Sequence, residues 1–146
     1  MHGIMSNIAK IFGEKGIFLS ESHYLDSVIN GLQYDTIYHE HLRYYSIKSL
    51  ISLFATHNME IIHAKKIPTH GGSIRVYAAR RGVLPINPLV ARLVGEKNST
   101  KLNSLKKLRS FALEANYAKY DLFDLIHSIK KDDSTIYGLG APSRAS

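Results

Sequence analysis

Apolar positions recur along this chain with two different periods, and the switches between them outline its elements. Ile4, Ile8, Ile11 and Phe12 share one face at a 3.6-residue period, which predicts a helix closed by Gly13-Glu14-Lys15-Gly16. The short apolar run Ile17-Phe18-Leu19 then reads as a buried strand. Ser46 is an N-cap for a second amphipathic helix through Ile47, Leu50, Ile51 and Phe54, which gives way near Asn58. A β-rich run follows at Ile61-Ile62. Residues 73–79 alternate, with Ile74, Val76 and Ala78 against Ser73, Arg75 and Tyr77, as a strand with one buried face does. Pro68-Thr69-His70-Gly71-Gly72 joins these two strands as a hairpin, the glycines supplying positive φ angles.

Beyond Pro85 and Pro88 a single stripe runs through Leu102, Leu105, Leu108, Ala112, Ala115, Leu122, Leu125, Ile126 and Ile129. That is longer than most globular helices, and it predicts a helix bridging two domains. After Asp132-Asp133, Thr135-Ile136-Tyr137 reads as a short strand. Gly138-Leu139-Gly140-Ala141-Pro142-Ser143 then has the look of the turn that opens a Rossmann-like unit. A parallel strand needs crossover partners. The expectation is therefore a chain truncated at both ends.

With 146 residues and 45% hydrophobic content the chain is neither disordered nor fibrous. It has no apolar run of membrane-spanning length and no signal-peptide pattern at its start, which argues for the cytoplasm and against a membrane partner. Zero cysteines exclude disulfides and thiolate zinc sites. The net charge of +7 comes as scattered pairs such as Lys65-Lys66 and Arg80-Arg81, not as a stripe with interleaved aromatics. A basic, solvated surface that suits a phosphorylated small substrate, and not nucleic acid, is the reading.

The chemistry lies between Tyr34 and Gly72. Residues 34–45 pack two imidazoles, two carboxylates and four phenols into twelve positions without a helical apolar period. Histidine exchanges a proton near neutral pH, a carboxylate can fix its tautomer, and a phenol can donate to a developing oxyanion. The trio suits proton abstraction beside a carbonyl. The same density also arises where His and Tyr cap helices and fill a half-buried loop. A metal reading stands beside these, with His39 and His41 on one side of an extended segment and His70 or His63 completing the set, but the spacing is not that of the two-turn zinc helix.

Tyr38-His39-Glu40-His41, the Tyr-Ser turn into a helix, Pro-x-His-Gly-Gly-Ser-Ile-Arg at 68–75 and Gly-x-Gly-Ala-Pro-x-Arg at 138–144 resemble the SAM-dependent C-methyltransferases that act on nucleotide-linked 4-ketodeoxysugars. The resemblance implies an α/β chain: the C-terminal part of a class I (Rossmann-like) methyltransferase sheet in 1–82, a linker and long bridging helix in 83–133, and the truncated start of a second Rossmann-like domain in 134–146. The strands at 17–20, 61–66 and 73–79 then take the last three places of that sheet, and the absent neighbours leave an exposed sheet edge prone to aggregation or dimerisation. His41 is by similarity the base, with Tyr38 and Glu40 polarising and positioning the sugar or its enolate. His70, Gly71 and Gly72 stand at the margin of the substrate site, and Arg75 faces the substrate's phosphates. The glycine-rich turn that binds S-adenosyl-L-methionine in such enzymes has no counterpart here, nor does the family's cysteine-bearing zinc module. A further family histidine falls upstream of Met1, and His39 stands where relatives carry an acidic residue. The segment alone is expected to be inactive. Two rivals remain: a binding module holding a nucleotide phosphate at Gly138 and Gly140 without chemistry, and a nucleic-acid accessory protein.

Overall fold

The computed structural model describes residues 2–96 and 104–140. Helix α1 (His2–Ile11) precedes strand β1 (Phe18–His23) and the short helix α2 (Leu25–Asn30). An irregular segment with a 3-10 turn at Tyr34–Thr36 leads to α3 (Ile47–Ala55), β2 (Met59–Ile67), a second 3-10 turn at Thr69–Gly71, and β3 (Ser73–Arg80). Helices α4 (Pro88–Gly95) and α5 (Leu105–Lys131) follow. The architecture is mixed α/β.

The sheet has the order β1-β3-β2 and is antiparallel throughout. β3 holds the centre with Ile74, Val76 and Ala78 wholly buried and Ala79 buried on its other face, and Met59, Ile61 and Ala64 of β2 join the same core. The β2–β3 hairpin runs from Ile67↔Ser73 to Met59↔Arg80, with an irregularity between Ile61 and His63. On the other edge β1 runs from Phe18↔Ala78 to His23↔Ser73. This pairing sets His23 beside the hairpin connection.

Three of the helices have identifiable local causes, and one of them, α4, lies in the stretch expected to be linker. Ser46 caps α3, its hydroxyl accepting from Ser49 N while Ser49 Oγ accepts from Ser46 N, a reciprocal capping box. Asn87 accepts from Leu89 N ahead of Pro88 at the first turn of α4, which lays Val90 and Leu93 onto the core. Ser104 caps α5 through Lys107 N. Helix α1 corrects the expected face: Met5, Ile8 and Phe12 meet the core, while Ile4 and Ile11 point to solvent at 59% and 87% exposure. Arg80 reaches across from β3 to the end of this helix. Its Nη2 donates to the carbonyls of Ala9 and Phe12, holding that side of the helix end against the sheet.

α2 has no forerunner in the periodicity, since six residues are too few to set a period; it is held by packing of Val28 and Ile29. A buried carboxylate, Asp26, accepts from Lys66 Nζ at 3.3 Å and from Asn30 Nδ2 at 2.7 Å, and Lys66 also donates to Glu96 at 2.6 Å while lying over the Tyr24 ring. Thr135-Ile136-Tyr137 forms no ladder: residues 134–140 have no regular element and Tyr137 is 88% exposed. A strand exists only through a neighbour that takes its backbone bonds, and none is present among the described residues. Ala141, Pro142, Ser143 and Arg144 of the expected glycine turn, and Leu102 of the long stripe, lie outside the described residues. Among the described residues no helix is long and apolar enough to cross a membrane.

Candidate functional site

The hairpin connection, the end of β1 and the segment 33–43 enclose a cleft of about 1020 Å³. Its walls include His23, Tyr38, Glu40, His41, Arg43, His70 and Gly71. Of the residues the sequence singled out, Tyr38, Glu40, His41, His70 and Gly71 therefore gather at one place from stretches about thirty positions apart. Gly72 and Arg75 do not line it.

The protonation of His41 follows from what surrounds it. Its Nδ1 lies 3.0 Å from the Thr36 carbonyl, which can only accept, so Nδ1 carries a hydrogen. In the neutral ring Nε2 is then the lone pair, and it lies 3.1 Å from the Tyr38 hydroxyl, which donates to it. The Tyr44 hydroxyl donates to the same Thr36 carbonyl at 2.6 Å. Burial, reinforced by Tyr38 beside it, pushes the Tyr44 phenol above its ordinary range, so it stays a donor. Thr36 can serve both because its 3-10 turn is fixed from the other side: Thr36 Oγ1 donates to Gln33 O at 2.8 Å. Local sequence alone thus builds an imidazole with a defined tautomer and a basic nitrogen covered by a phenol.

The opposite wall depends on the fold. His23 Nε2 donates to the His70 carbonyl at 2.7 Å, and its ring meets the His41 ring edge-on, centroids 4.9 Å apart. His70 sits at φ 52, Gly71 at 78 and Gly72 at 123, so the connection coils through three successive left-handed residues. Gln33 reaches over it, donating to Gly71 O at 2.7 Å. A Cβ on Gly71 would press on the Gln33 amide, and one on Gly72 would collide with Ser27. The two glycines are required by close approach as well as by φ.

Arg75 does not line the cleft but is paired with Glu21, which does. Its Nε and Nη2 both donate to Glu21 Oε2, at 3.0 and 2.9 Å, on the exposed strand face, while Thr69 donates to Glu21 Oε1. The Arg75 guanidinium holds the Glu21 carboxyl below its usual value, and Glu21 raises that of Arg75. The cation that faces the cleft is Arg43, which has no ion-pair partner among the described residues. His39 lies beside the Tyr38 ring and does not line the cleft, and His63 packs against Tyr77. Among the described residues no three His, Asp or Glu side chains are grouped as a metal site. Sequence reasoning missed His23, Gln33, Thr36 and Arg43. Thr36 and Arg43 stood inside the aromatic-histidine segment, whereas His23 and Gln33 carried no local signal and are recruited by strand register and by α2.

Comparison with known proteins bears on this geometry. The C-methyltransferase C-terminal domain matches residues 68–146. Over 147 aligned positions the chain is 30% identical to the C-methyltransferase NovU of Streptomyces niveus, the alignment covering all of this chain and 35% of that protein. The chain thus spans about a third of the length of the curated relative it matches.

Proposed function

Since this chain belongs to the C-methyltransferase family, we propose that it is the acceptor-side portion of an enzyme that methylates a carbon next to the ketone of a nucleotide-linked ketodeoxysugar. The observation that carries the reading is the His41 arrangement: an Nδ1–H tied to a carbonyl and an Nε2 lone pair turned toward a polar cleft. A carbon acid needs such a base, and the ketone oxygen needs a donor as charge moves onto it. His41 supplies the base and Tyr38 the donor, in sequence. While the cleft is free its hydroxyl covers Nε2; when Nε2 takes the proton from carbon, that hydroxyl is released to donate to the enolate oxygen. The imidazolium formed keeps its Nδ1–H on Thr36 O, so the ring does not turn during the transfer.

S-adenosyl-L-methionine would supply the methyl group. Among the described residues β1 passes into α2 through Tyr24 without a glycine, and the sole Gly-x-Gly in the sequence is at 138–140. Donor binding is accordingly assigned to the part of the family's architecture that this chain does not span. The sugar's hydroxyls suit Glu40, Asp35 and His70, all cleft-lining groups that accept or donate singly, and Arg43 is better placed than Arg75 for a phosphate oxygen.

The test is methyl transfer by a full-length protein carrying this segment. His41→Gln should abolish turnover, and Tyr38→Phe should lower kcat by about 10²-fold or more, both with donor affinity unchanged. Full turnover by His41→Gln would end the assignment of His41 as base.

A further inference from the structure

The half-buried His23 lines the same cleft, and the reaction proposed above gives it no part. Its surroundings leave it one free function. The His70 carbonyl, 2.7 Å from Nε2, can only accept, so Nε2 carries the hydrogen, and in the neutral ring Nδ1 is the lone pair. That Nδ1 has no hydrogen-bond partner among the described residues, and it is not closed off from solvent as the Nδ1 of His63 is. His23 therefore presents an acceptor from a cleft wall, with its tautomer fixed by the backbone. Its position bears on the base. The ring meets that of His41 edge-on, centroids 4.9 Å apart, and is carried there by the pairing of His23 with Ser73 at the end of β1.

We propose that His23 is a substrate-binding residue whose Nδ1 accepts a hydrogen bond from a sugar hydroxyl beside the carbon that His41 deprotonates, an assignment that rests on the function proposed above. A lone pair recognises only a donor, so the group on Nδ1 is a hydroxyl and neither the ketone oxygen nor a phosphate oxygen. Those acceptors suit the Tyr38 hydroxyl and Arg43, which also line the cleft. With the two imidazoles 4.9 Å apart centre to centre, a hydroxyl on Nδ1 and a carbon facing His41 fit within one sugar ring. The bond forms on binding and persists through proton transfer, so it acts on KM and little on kcat. A sugar without that hydroxyl leaves the lone pair unpaired and is selected against.

Two amides separate the nitrogens of His23. In His23→Asn the amide falls near the Nδ1 position and keeps an acceptor there while losing the bond to His70 O; in His23→Gln it reaches the Nε2 position and keeps that bond while losing the acceptor. The assay is methyl transfer by a full-length protein carrying this segment, with a nucleoside-diphosphate-linked 4-ketodeoxyhexose as acceptor. His23→Gln should raise KM for the sugar about tenfold with kcat changed less than about threefold, and His23→Asn should stay nearer the parent KM. The reverse order would make His23 a support for the hairpin connection and overturn the proposal, as would equal KM values in both variants or a loss confined to kcat. His41→Gln, assayed beside them, separates the two readings: full turnover there means that the base assignment has failed, whereas an inactive His41→Gln with Gln no worse than Asn at position 23 refutes the role of His23 alone. Nitrogen-15 NMR of this chain needs no substrate: neutral His23 should carry its hydrogen on Nε2, and the opposite tautomer would overturn the proposal.

Discussion

Substituting alanine for Gly72 separates two costs that usually come together. At φ 123 and ψ 108 the residue occupies backbone space nearly reserved for glycine, and a Cβ there would stand 2.5 Å from Ser27 Cβ and nearer still to its Oγ. Gly82 also has a positive φ, 78, yet a Cβ there would meet nothing within 4 Å. Gly82→Ala therefore carries backbone strain alone, about 1 kcal/mol. Gly72→Ala adds strain of about 1–3 kcal/mol in its less accessible region and overpacking of about 1–3 kcal/mol. The gain from a stiffer unfolded chain is common to both and cancels. The expected difference is about 2–3 kcal/mol, or about 5–10 °C in Tm for a chain of this size. Thermal and urea unfolding of both variants measure it. Ser27→Gly removes both colliding atoms, so in a double-mutant cycle it should return the overpacking part of the Gly72→Ala loss. Equal destabilisation of the Gly72 and Gly82 variants, or a cycle with no coupling, would refute the claim that close approach of α2 dictates the glycine.

Four other outcomes follow from the same structure. Nitrogen-15 NMR of the neutral His41 ring should show Nδ1 protonated and Nε2 not; the opposite tautomer would contradict its bond to Thr36 O. Burial draws the Lys66 ammonium down, but Glu96 and Asp26 together outweigh it and raise its pKa, so the charged form is favoured on folding. Its stabilisation is full below about pH 10.4 and is lost as pH rises through the raised value. Lys66→Met should then cost about 1–2 kcal/mol at pH 8, discounted because Lys66 is 39% exposed, and less at pH 11.5; a pH-independent cost would exclude the ion pairs as its source. Ser46→Ala should cost about 1 kcal/mol of stability, read as a lower urea midpoint at unchanged slope, and an unmoved midpoint would deny the capping box any weight. Arg80→Met should speed amide exchange in α1 while β3 stays protected, and uniform exchange would mean the guanidinium does not hold that helix end.

Much of this protein was written locally. Ser46 with the apolar residues behind it specifies α3, the 73–79 alternation specifies β3, and the long apolar stripe specifies α5, because each signal lies within one element and needs no partner to be read. The His41 tautomer is nearly as local, since Thr36, Tyr38, Tyr44 and His41 lie within nine positions. On α1 the inward face takes in Met5 and leaves Ile4 and Ile11 exposed, a choice made by packing against a sheet whose strands lie elsewhere in the chain. The strand expected at 135–137 has no pairing neighbour among the described residues. His23 and Gln33 carry no motif, and what brings them to the cleft is register: His23 opposite Ser73 on the sheet edge, and Gln33 laid over Gly71 by the packing of α2. Sequence by itself determined most of the short segments and the crowding of imidazoles, phenols and carboxylates at 34–45, because propensity, capping and short hydrogen bonds act over a few residues. Tertiary structure alone decided which of those groups share a cleft, because strand pairing and core burial join residues that no local pattern connects.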